Sequence, residues 1–268
     1  MHVAPASVHA LLGENGAGKT TLMRIAFGML RPQSGVITIT GSVRDLASPA
    51  DAIAHGIAMV HQHFTIVPSM TVADHVALGG HGRYDARTAR ERVLAVGRDT
   101  GLVLDPDARA ESLPVGALQR LEIIKAFATG ARVLILDEPT AVLAPSETDD
   151  LLRTLRRFAD GGGSVIIITH KLREALTGAD SVTVLRRGRT VLEGAIASTT
   201  ERDLAEAMLG QAPSVAPRSV KSQARAGASI VIDAQNVHIR DAHGVERVRG
   251  ATLALHAGEI VGLAAVEG

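Results

Sequence analysis

Residues 13–20 read Gly13-Glu14-Asn15-Gly16-Ala17-Gly18-Lys19-Thr20, between the apolar run Val8 to Leu12 and the helical pattern Leu22-Met23-Arg24-Ile25. A strand, a glycine-rich turn and a helix in this order form a loop whose backbone N–H groups can surround phosphate oxygens, with the positive helix N-terminus behind them. Lys19 can reach the outer phosphates, and the Thr20 hydroxyl can bind Mg²⁺. The stretch therefore predicts a site for a purine nucleoside triphosphate. A flexible surface loop is the alternative, and the flanking strand and helix disfavour it.

The composition is that of a globular protein without net charge. Of the 268 residues 46% are hydrophobic, and 28 basic residues balance 28 acidic ones. The chain has four Phe, one Tyr and no Trp, so neither net charge nor aromatic stacking favours a nucleic-acid partner. The absence of Cys excludes disulfides, thiolate metal sites and Cys nucleophiles. No apolar run approaches the roughly 18 residues of a membrane span, so we expect any membrane role to be played from outside the bilayer.

Strand and helix patterns alternate along most of the chain. Residues 35–40 and 57–60 have the composition of strands, and residues 133–136 and 165–168 have that of strands buried on both faces of a parallel sheet. Helical signals fill a block from about residue 65 to 130. This order predicts an α/β fold with a three-layer core, a mostly parallel sheet and an inserted α-helical subdomain.

A segment of mostly small residues divides the chain. Residues 210–228 carry two prolines and three basic residues but no acid, which is typical of a linker. Beyond it, residues 229–268 resemble the start of a second copy of residues 1–209, because a shift of 252 places aligns 9–16 with 261–268. We therefore expect a first domain, a linker and the truncated start of a second domain, in a chain that is cut at both ends.

Polar side chains follow two of the buried strands. Asp137-Glu138 follows the apolar run that ends at Leu136, and Thr169-His170 follows the run that ends at Ile168. Ligands of open α/β sheets bind at the carboxyl edge, where these strands end. Asp137 can hold Mg²⁺ directly or through water, and Glu138 can polarise a water that attacks the terminal phosphate. A solvated strand end is the alternative, which the phosphate loop in the same chain disfavours.

The order of these motifs resembles that of ATP-binding cassette (ABC) ATPases, which are P-loop NTPases. The resemblance implies ATP and Mg²⁺ as ligands. It identifies residues 13–20 as the Walker A loop, Val133–Asp137 as the Walker B strand, Glu138 as the catalytic glutamate, Gln62 as the Q-loop glutamine and His170 as the switch histidine. The implied residues are Gly13, Glu14, Asn15, Gly16, Ala17, Gly18, Lys19, Thr20 and Thr21 for ATP binding, Thr20, Gln62 and Asp137 for the metal, and Glu138, His170 and Gln62 for catalysis.

Finer detail is similar to the duplicated ATPase subunits of bacterial simple-sugar and nucleoside importers. The similar segments are Met59-Val60-His61-Gln62-His63-Phe64, Gln119-Arg120-Leu121-Glu122-Ile123, Asp137-Glu138-Pro139-Thr140-Ala141-Val142-Leu143 and Thr169-His170-Lys171-Leu172. The resemblance implies an ATPase that powers solute uptake through membrane permease subunits, with a solute-binding protein as a further partner. It also implies a peripheral position on the cytoplasmic face of the bacterial inner membrane. Cassettes of this family close face to face, so a second ABC domain, in cis or as a dimer, is expected.

The signature position of the family departs from its usual pattern. It reads Leu113-Pro114-Val115-Gly116-Ala117. Pro114 stands where the family has serine, and it offers a γ-phosphate neither a hydroxyl nor an N–H. Ala117 replaces a polar residue. By the resemblance, a signature segment faces the nucleotide of the opposite cassette, so this departure concerns the partner's site and leaves Lys19 untouched.

Two other functions are kept as alternatives. A truncated or degenerate ABC paralogue could bind nucleotide without transport, and Pro114 and the halted second domain favour it. A soluble ABC ATPase that acts on ribosomes or in DNA repair is disfavoured by the neutral charge. The transported solute cannot be read from the sequence, because specificity in such systems lies in other polypeptides.

Overall fold

The computed structural model describes residues 1–62, 64–78, 84–210, 229–241 and 244–263. The chain separates into two compact units, Met1–Pro213 and Ser214–Gly268. Apart from Gly210, the predicted linker at 210–228 lies outside the described residues, and so do residues 264–268 of the predicted second domain.

Strands and helices alternate in the first unit. Its strands are β1 (Val8–Leu12), β2 (Ile37–Ile39), β3 (Ser42–Arg44), β4 (Ile57–Val60), β5 (Val133–Asp137), β6 (Ser164–Thr169), β7 (Ser181–Arg186) and β8 (Arg189–Ala195). Its helices are α1 (Lys19–Ala26), α2 (Pro49–Ala54), α3 (Val72–Leu78), α4 (Ala86–Thr100), α5 (Val115–Ala128), α6 (Pro145–Asp160), α7 (Leu172–Gly178) and α8 (Glu201–Leu209). The helices α3, α4 and α5 all fall between β4 and β5 in the sequence.

Six of the described strands of this unit build one sheet in the order β4-β5-β6-β1-β7-β8. All neighbours are parallel except β7 and β8, which form an antiparallel pair. Leu12 lies beside Thr169, and Asp137 lies beside Ile168. The carboxyl ends of β5, β6 and β1 therefore meet at one edge, which brings the residues that follow these strands close together.

Alternating side chains of the sheet enter two cores on opposite faces. On β5, Leu134 and Leu136 pack with α5 and α6, while Ile135 faces the other way and packs with Met23 of α1 and with Phe27, the C-cap of that helix. A strand buried on both faces is apolar throughout, as the sequence of β5 is. The result is a three-layer α/β core with a mostly parallel sheet, which confirms the predicted fold class. Within the described residues, no helix has both the length and the apolarity that crossing a membrane requires.

The predicted strand at 35–40 differs from the observed structure. Only Ile37–Ile39 is a strand, and it pairs with β3 in a separate antiparallel sheet rather than joining the parallel one. Thr40 and Gly41 both have positive φ angles, and together they turn the chain back on itself. A β-branched run predicted the strand but carried no information about its partner.

The described part of the second unit is a β-hairpin of β9 (Ile230–Arg240) and β10 (Glu246–His256). The alignment with residues 9–16 predicts the second copy of β1 at about residues 261–264, but the described residues 261–263 carry no strand. In the first unit, β1 is held by parallel neighbours on both sides. No corresponding pairing is present around residues 261–263 in the described part of this unit.

Candidate active site

The glycine-rich loop joins the buried end of β1 to the first turn of α1. Gly18 is the N-cap of α1 and has a φ of 102°. Gly13 also needs to be glycine, because a Cβ there would lie 2.3 Å from the carbonyl oxygen of Leu185 in β7. The N–H of Gly188 donates a hydrogen bond to the Ala17 carbonyl at 2.9 Å, so the β7–β8 turn supports the loop from behind. The sequence did not single out this support.

Lys19 is fixed inside the loop. Its side chain is buried, and Nζ donates to the carbonyls of Gly13 at 2.8 Å and Glu14 at 3.1 Å. Burial lowers the pKa of the Lys19 ammonium, while the nearby Glu138 and Asp137 carboxylates raise it. A positive charge inside a ring of backbone N–H groups is the arrangement that binds phosphate oxygens.

Asp137 ends β5 beside the first turn of α1. The residue is 3% exposed, and the neighbouring Thr20 hydroxyl favours the ionised form of its carboxylate. Burial is the largest cause of a raised Asp137 pKa, and Glu138 adds to it, whereas Thr20 and Lys19 oppose it. A neighbouring hydroxyl and carboxylate are hard oxygen donors of the kind that Mg²⁺ prefers. The donor set therefore fits the metal predicted for Thr20 and Asp137. Thr21 follows on the exposed side of α1.

Glu138 is the point at which three separate segments meet. Gln62 Nε2 donates to Glu138 Oε2 at 3.1 Å, and His170 Nδ1 lies 3.1 Å from Glu138 Oε1. An ionised carboxylate only accepts, so Nδ1 carries the shared proton in this arrangement. The backbone of Glu138 is left-handed, with a φ of 49°, and its N–H donates to the Ile168 carbonyl at 3.0 Å. A non-glycine residue in this region is strained and must be held by its surroundings.

The segment that follows Gln62 is anchored by a carboxylate that sequence reasoning missed. Glu122 on α5 is buried and accepts from the Thr65 N–H at 3.0 Å. Lys125 Nζ lies 3.0 Å from both Glu122 oxygens. A buried acid three residues before a lysine on a helix is a signal that could have suggested an ion pair, but its partner in the loop follows only from the fold.

The predicted signature residues lie at the start of α5. Pro114 is the N-cap of α5, and a Cβ on Gly116 would lie 2.5 Å from Glu147 Oε1 on α6. Leu113, Val115 and Ala117 flank these two residues. The structure brings Lys19, Asp137, Glu138, Gln62 and His170 together. Among the described residues, no hydrogen bond or ion pair joins this group to residues 113–117.

A glycine-rich loop between a buried strand and a helix, with an acidic pair at the end of a nearby parallel strand, defines a P-loop nucleoside triphosphatase fold. A family model described as "ABC transporter" matches residues 1–141. The chain belongs to the ABC transporter family.

Solved structures with the same fold are cassettes of ABC transporters. The ADP conformation of one ATP-binding cassette superposes with a TM-score of 0.70 at 23% identity, over 79% of this chain and 91% of that one. A cassette from Clostridium perfringens, CbiO1, described as part of an ABC transporter complex, gives a TM-score of 0.64 at 30% identity, over 73% of this chain and 80% of the other.

Curated relatives are import proteins about twice as long. The nucleoside import ATP-binding protein NupA of Lactococcus lactis is 39% identical over 97% of this chain and 52% of its own length. The guanosine import protein NupO of Bacillus subtilis is 40% identical over 100% of this chain and 53% of its own. A ribose import protein, RbsA 3 of Rubrobacter xylanophilus, is 36% identical over 100% of this chain and 53% of its own. The chain spans about half the length of these relatives.

Proposed function

We propose that this chain belongs to the ATP-binding subunit of an importer that couples ATP hydrolysis to uptake of a simple sugar or nucleoside. The relatives named for nucleoside, guanosine and ribose import support this proposal. Membrane permease subunits and a solute-binding protein are the proposed partners, and the proposed location is the cytoplasmic face of the bacterial inner membrane. These relatives are named for the import of different solutes, so their names do not identify the solute of this chain.

The observation that carries the proposal is the contact of Glu138 with both Gln62 and His170 at the sheet edge that also bears Lys19. In the proposed reaction, the loop N–H groups and the Lys19 ammonium bind the phosphates of ATP. The carboxylate of Glu138 accepts a hydrogen bond from the attacking water and orients it toward the terminal phosphate. His170 Nδ1–H and Gln62 Nε2 hold that carboxylate in place, and the carboxylate takes up the proton that the water loses.

Thr20, Asp137 and Gln62 are the residues proposed to hold Mg²⁺. When bound, the ion neutralises charge on the phosphate oxygens during transfer. The Thr20 hydroxyl and the Asp137 carboxylate offer neighbouring oxygen ligands. The raised pKa of Asp137 reflects the cost of burying its charge near Glu138, a cost that a bound cation would offset. The Gln62 amide oxygen is available because its nitrogen is the atom bonded to Glu138.

We further propose the domain division given by the sequence. Residues 1–209 form a first ABC domain with a helical subdomain at about 65–130, residues 210–228 a linker, and residues 229–268 the start of a second ABC domain. In this assembly, residues 113–117 face the nucleotide of a second ABC domain, in cis or as a dimer. Pro114 is the N-cap of α5, and its side chain has no polar group. It therefore cannot supply the hydrogen bond that a serine hydroxyl would give at this position.

The test is turnover and binding of Mg-ATP by the purified chain, alone and in membranes that contain the proposed permease subunits. Glu138→Gln should bind ATP as the unsubstituted chain does, while turnover falls by about 100-fold or more, because general-base catalysis contributes that much. Glu91→Gln, in an exposed ion pair on α4, is the matched control and should leave both unchanged. Binding without turnover in the unsubstituted chain would favour the degenerate paralogue, and absence of both would contradict the proposal.

A further inference from the structure

A further buried carboxylate is bonded to the two segments that carry Glu138 and His170. Glu174, in the first turn of α7, is 5% exposed. Its Oε1 accepts from the Thr140 hydroxyl at 2.5 Å, and its Oε2 accepts from the Thr169 hydroxyl at 2.9 Å. Each oxygen is thus committed to a different segment of the chain, and both threonines are 2% exposed. One side chain joins the segment that follows β5 to the end of β6.

Lys171 completes this cluster and balances its charge. Its Nζ lies 3.1 Å from Glu174 Oε1 and donates to the Thr140 carbonyl at 3.0 Å and to the Thr140 hydroxyl oxygen at 3.1 Å. The Lys171 N–H donates to the Thr169 hydroxyl oxygen at 3.1 Å. Both hydroxyls therefore accept from Lys171 and donate to Glu174. A buried carboxylate with a counter-charge and fully used hydrogen bonds is a rigid element, and removing one member leaves others unpaired.

The two segments that this cluster joins are those that carry the proposed catalytic pair. Thr140 lies two residues after Glu138, and Thr169 directly precedes His170. The strained φ of 49° at Glu138 requires support from the surrounding structure. The hydrogen bond from Glu138 N–H to the Ile168 carbonyl supplies part of it, and the bridge through Glu174 supplies a second tie between the same segments.

We propose that Glu174 is a positioning residue, which sets the spacing between Glu138 and His170 through Thr140 and Thr169. The proposal rests on the proposed function insofar as it concerns catalysis. It goes beyond that function by assigning a role to a residue that touches neither nucleotide phosphates nor Glu138. Glutamine cannot replace this carboxylate. Each of the two hydroxyls donates to a different oxygen of Glu174, whereas an amide has one acceptor oxygen and an NH₂ group that only donates. A displacement of about 1 Å at a catalytic group can cost about 100-fold in rate, so a modest shift is measurable.

The first readout uses the nucleotide-free chain. In protein labelled with ¹⁵N-histidine, the ring nitrogens of His170 report the Nδ1–H hydrogen bond to Glu138, and His170→Gln assigns their signals. Glu174→Gln and Thr169→Val should move or broaden these signals, while Thr169→Ser, which keeps the hydroxyl, should restore them. Thr183→Val is the matched control, because Thr183 is equally buried and its hydroxyl is bonded to His9, away from this edge.

The second readout is steady-state ATP turnover with separate measurement of ATP binding. Glu174→Gln and Thr169→Val should lower kcat by about tenfold or more, while ATP affinity changes by less than about twofold. Thr183→Val should lose comparable thermal stability and keep its kcat. Unchanged His170 signals in Glu174→Gln, or an equal loss of kcat in the two valine variants, would overturn the proposal. Absence of turnover in the unsubstituted chain would count against the proposed function alone, since the His170 spectrum tests the positioning role without ATP.

Discussion

Protonation of His9 should destabilise the strand that leads into the phosphate loop. His9 is the second residue of β1 and is 1% exposed. Its Nδ1 lies 2.7 Å from Ser181 Oγ and its Nε2 lies 2.9 Å from Thr183 Oγ1, both on β7. Burial lowers the pKa of His9 to about 4, against an opposing effect of Glu193. The imidazole is therefore neutral in the folded protein at pH 7.

The size and sign of the effect follow from the two pKa values. In the unfolded chain, His9 takes up a proton as the pH falls through 6.5, whereas the folded protein resists protonation until about pH 4. Between these values the unfolded state binds more protons, so folding stability falls as the pH falls. The difference corresponds to about 3 kcal/mol of unfolding free energy, lost between pH 6.5 and 4 and not further below pH 4.

Urea unfolding of the chain, followed by circular dichroism at pH values from 7 to 4, measures this loss. His9→Gln has no proton to gain and should show a pH dependence flatter by about 3 kcal/mol over that interval. His55→Gln, at the half-buried C-cap of α2, is the control and should keep the slope of the unsubstituted chain. Parallel curves for the unsubstituted chain and His9→Gln would refute the reasoning, whatever the stability of the variant at pH 7.

Two further pairs of substitutions test the loop and the buried ion pair. Gly13→Ala should cost several times more unfolding free energy than Gly16→Ala, because a methyl group at Gly13 collides with the β7 backbone. A methyl group at Gly16 meets open space and bears only the cost of the positive φ, about 1 kcal/mol. Equal losses in thermal unfolding would contradict this. Lys125→Met should cost about 3 kcal/mol of unfolding free energy, because it leaves the buried Glu122 carboxylate without its counter-charge. Arg87→Met, in an exposed ion pair, should cost clearly less in the same urea titration. A Lys125→Met loss no larger than that of Arg87→Met would show that the pair contributes nothing to stability.

Much of the fold follows from the sequence because its strands are buried on both faces. The continuous apolar runs of β5 and β6 identified parallel strands, and the polar residues after them marked the sheet edge. That geometry is enough to place Asp137, Glu138 and His170 together. Gln62 lies in a loop, so only the family resemblance pointed to it, and the fold supplies its contact with Glu138.

Sequence patterns failed where structure depends on a distant partner. Residues 35–40 have strand composition, but which strand they join is decided by the turn at Thr40 and Gly41. Residues 261–263 align with residues 9–11 of β1 yet carry no strand in the described second unit. Glu174 looks like an ordinary acid in the first turn of a helix, and its contacts to Thr140 and Thr169 depend on the packing of α7 against two strand ends.

The central claim is that Lys19 and its loop hold the phosphates of ATP. Titration of the purified chain and of Lys19→Ala with a fluorescent ATP analogue and Mg²⁺ tests it most directly, with Arg98→Ala on the exposed face of α4 as the control. We predict at least about tenfold weaker binding for Lys19→Ala, because a charged hydrogen bond contributes about 1.5–3 kcal/mol, and no change for Arg98→Ala. Equal affinities for Lys19→Ala and the unsubstituted chain would contradict the claim.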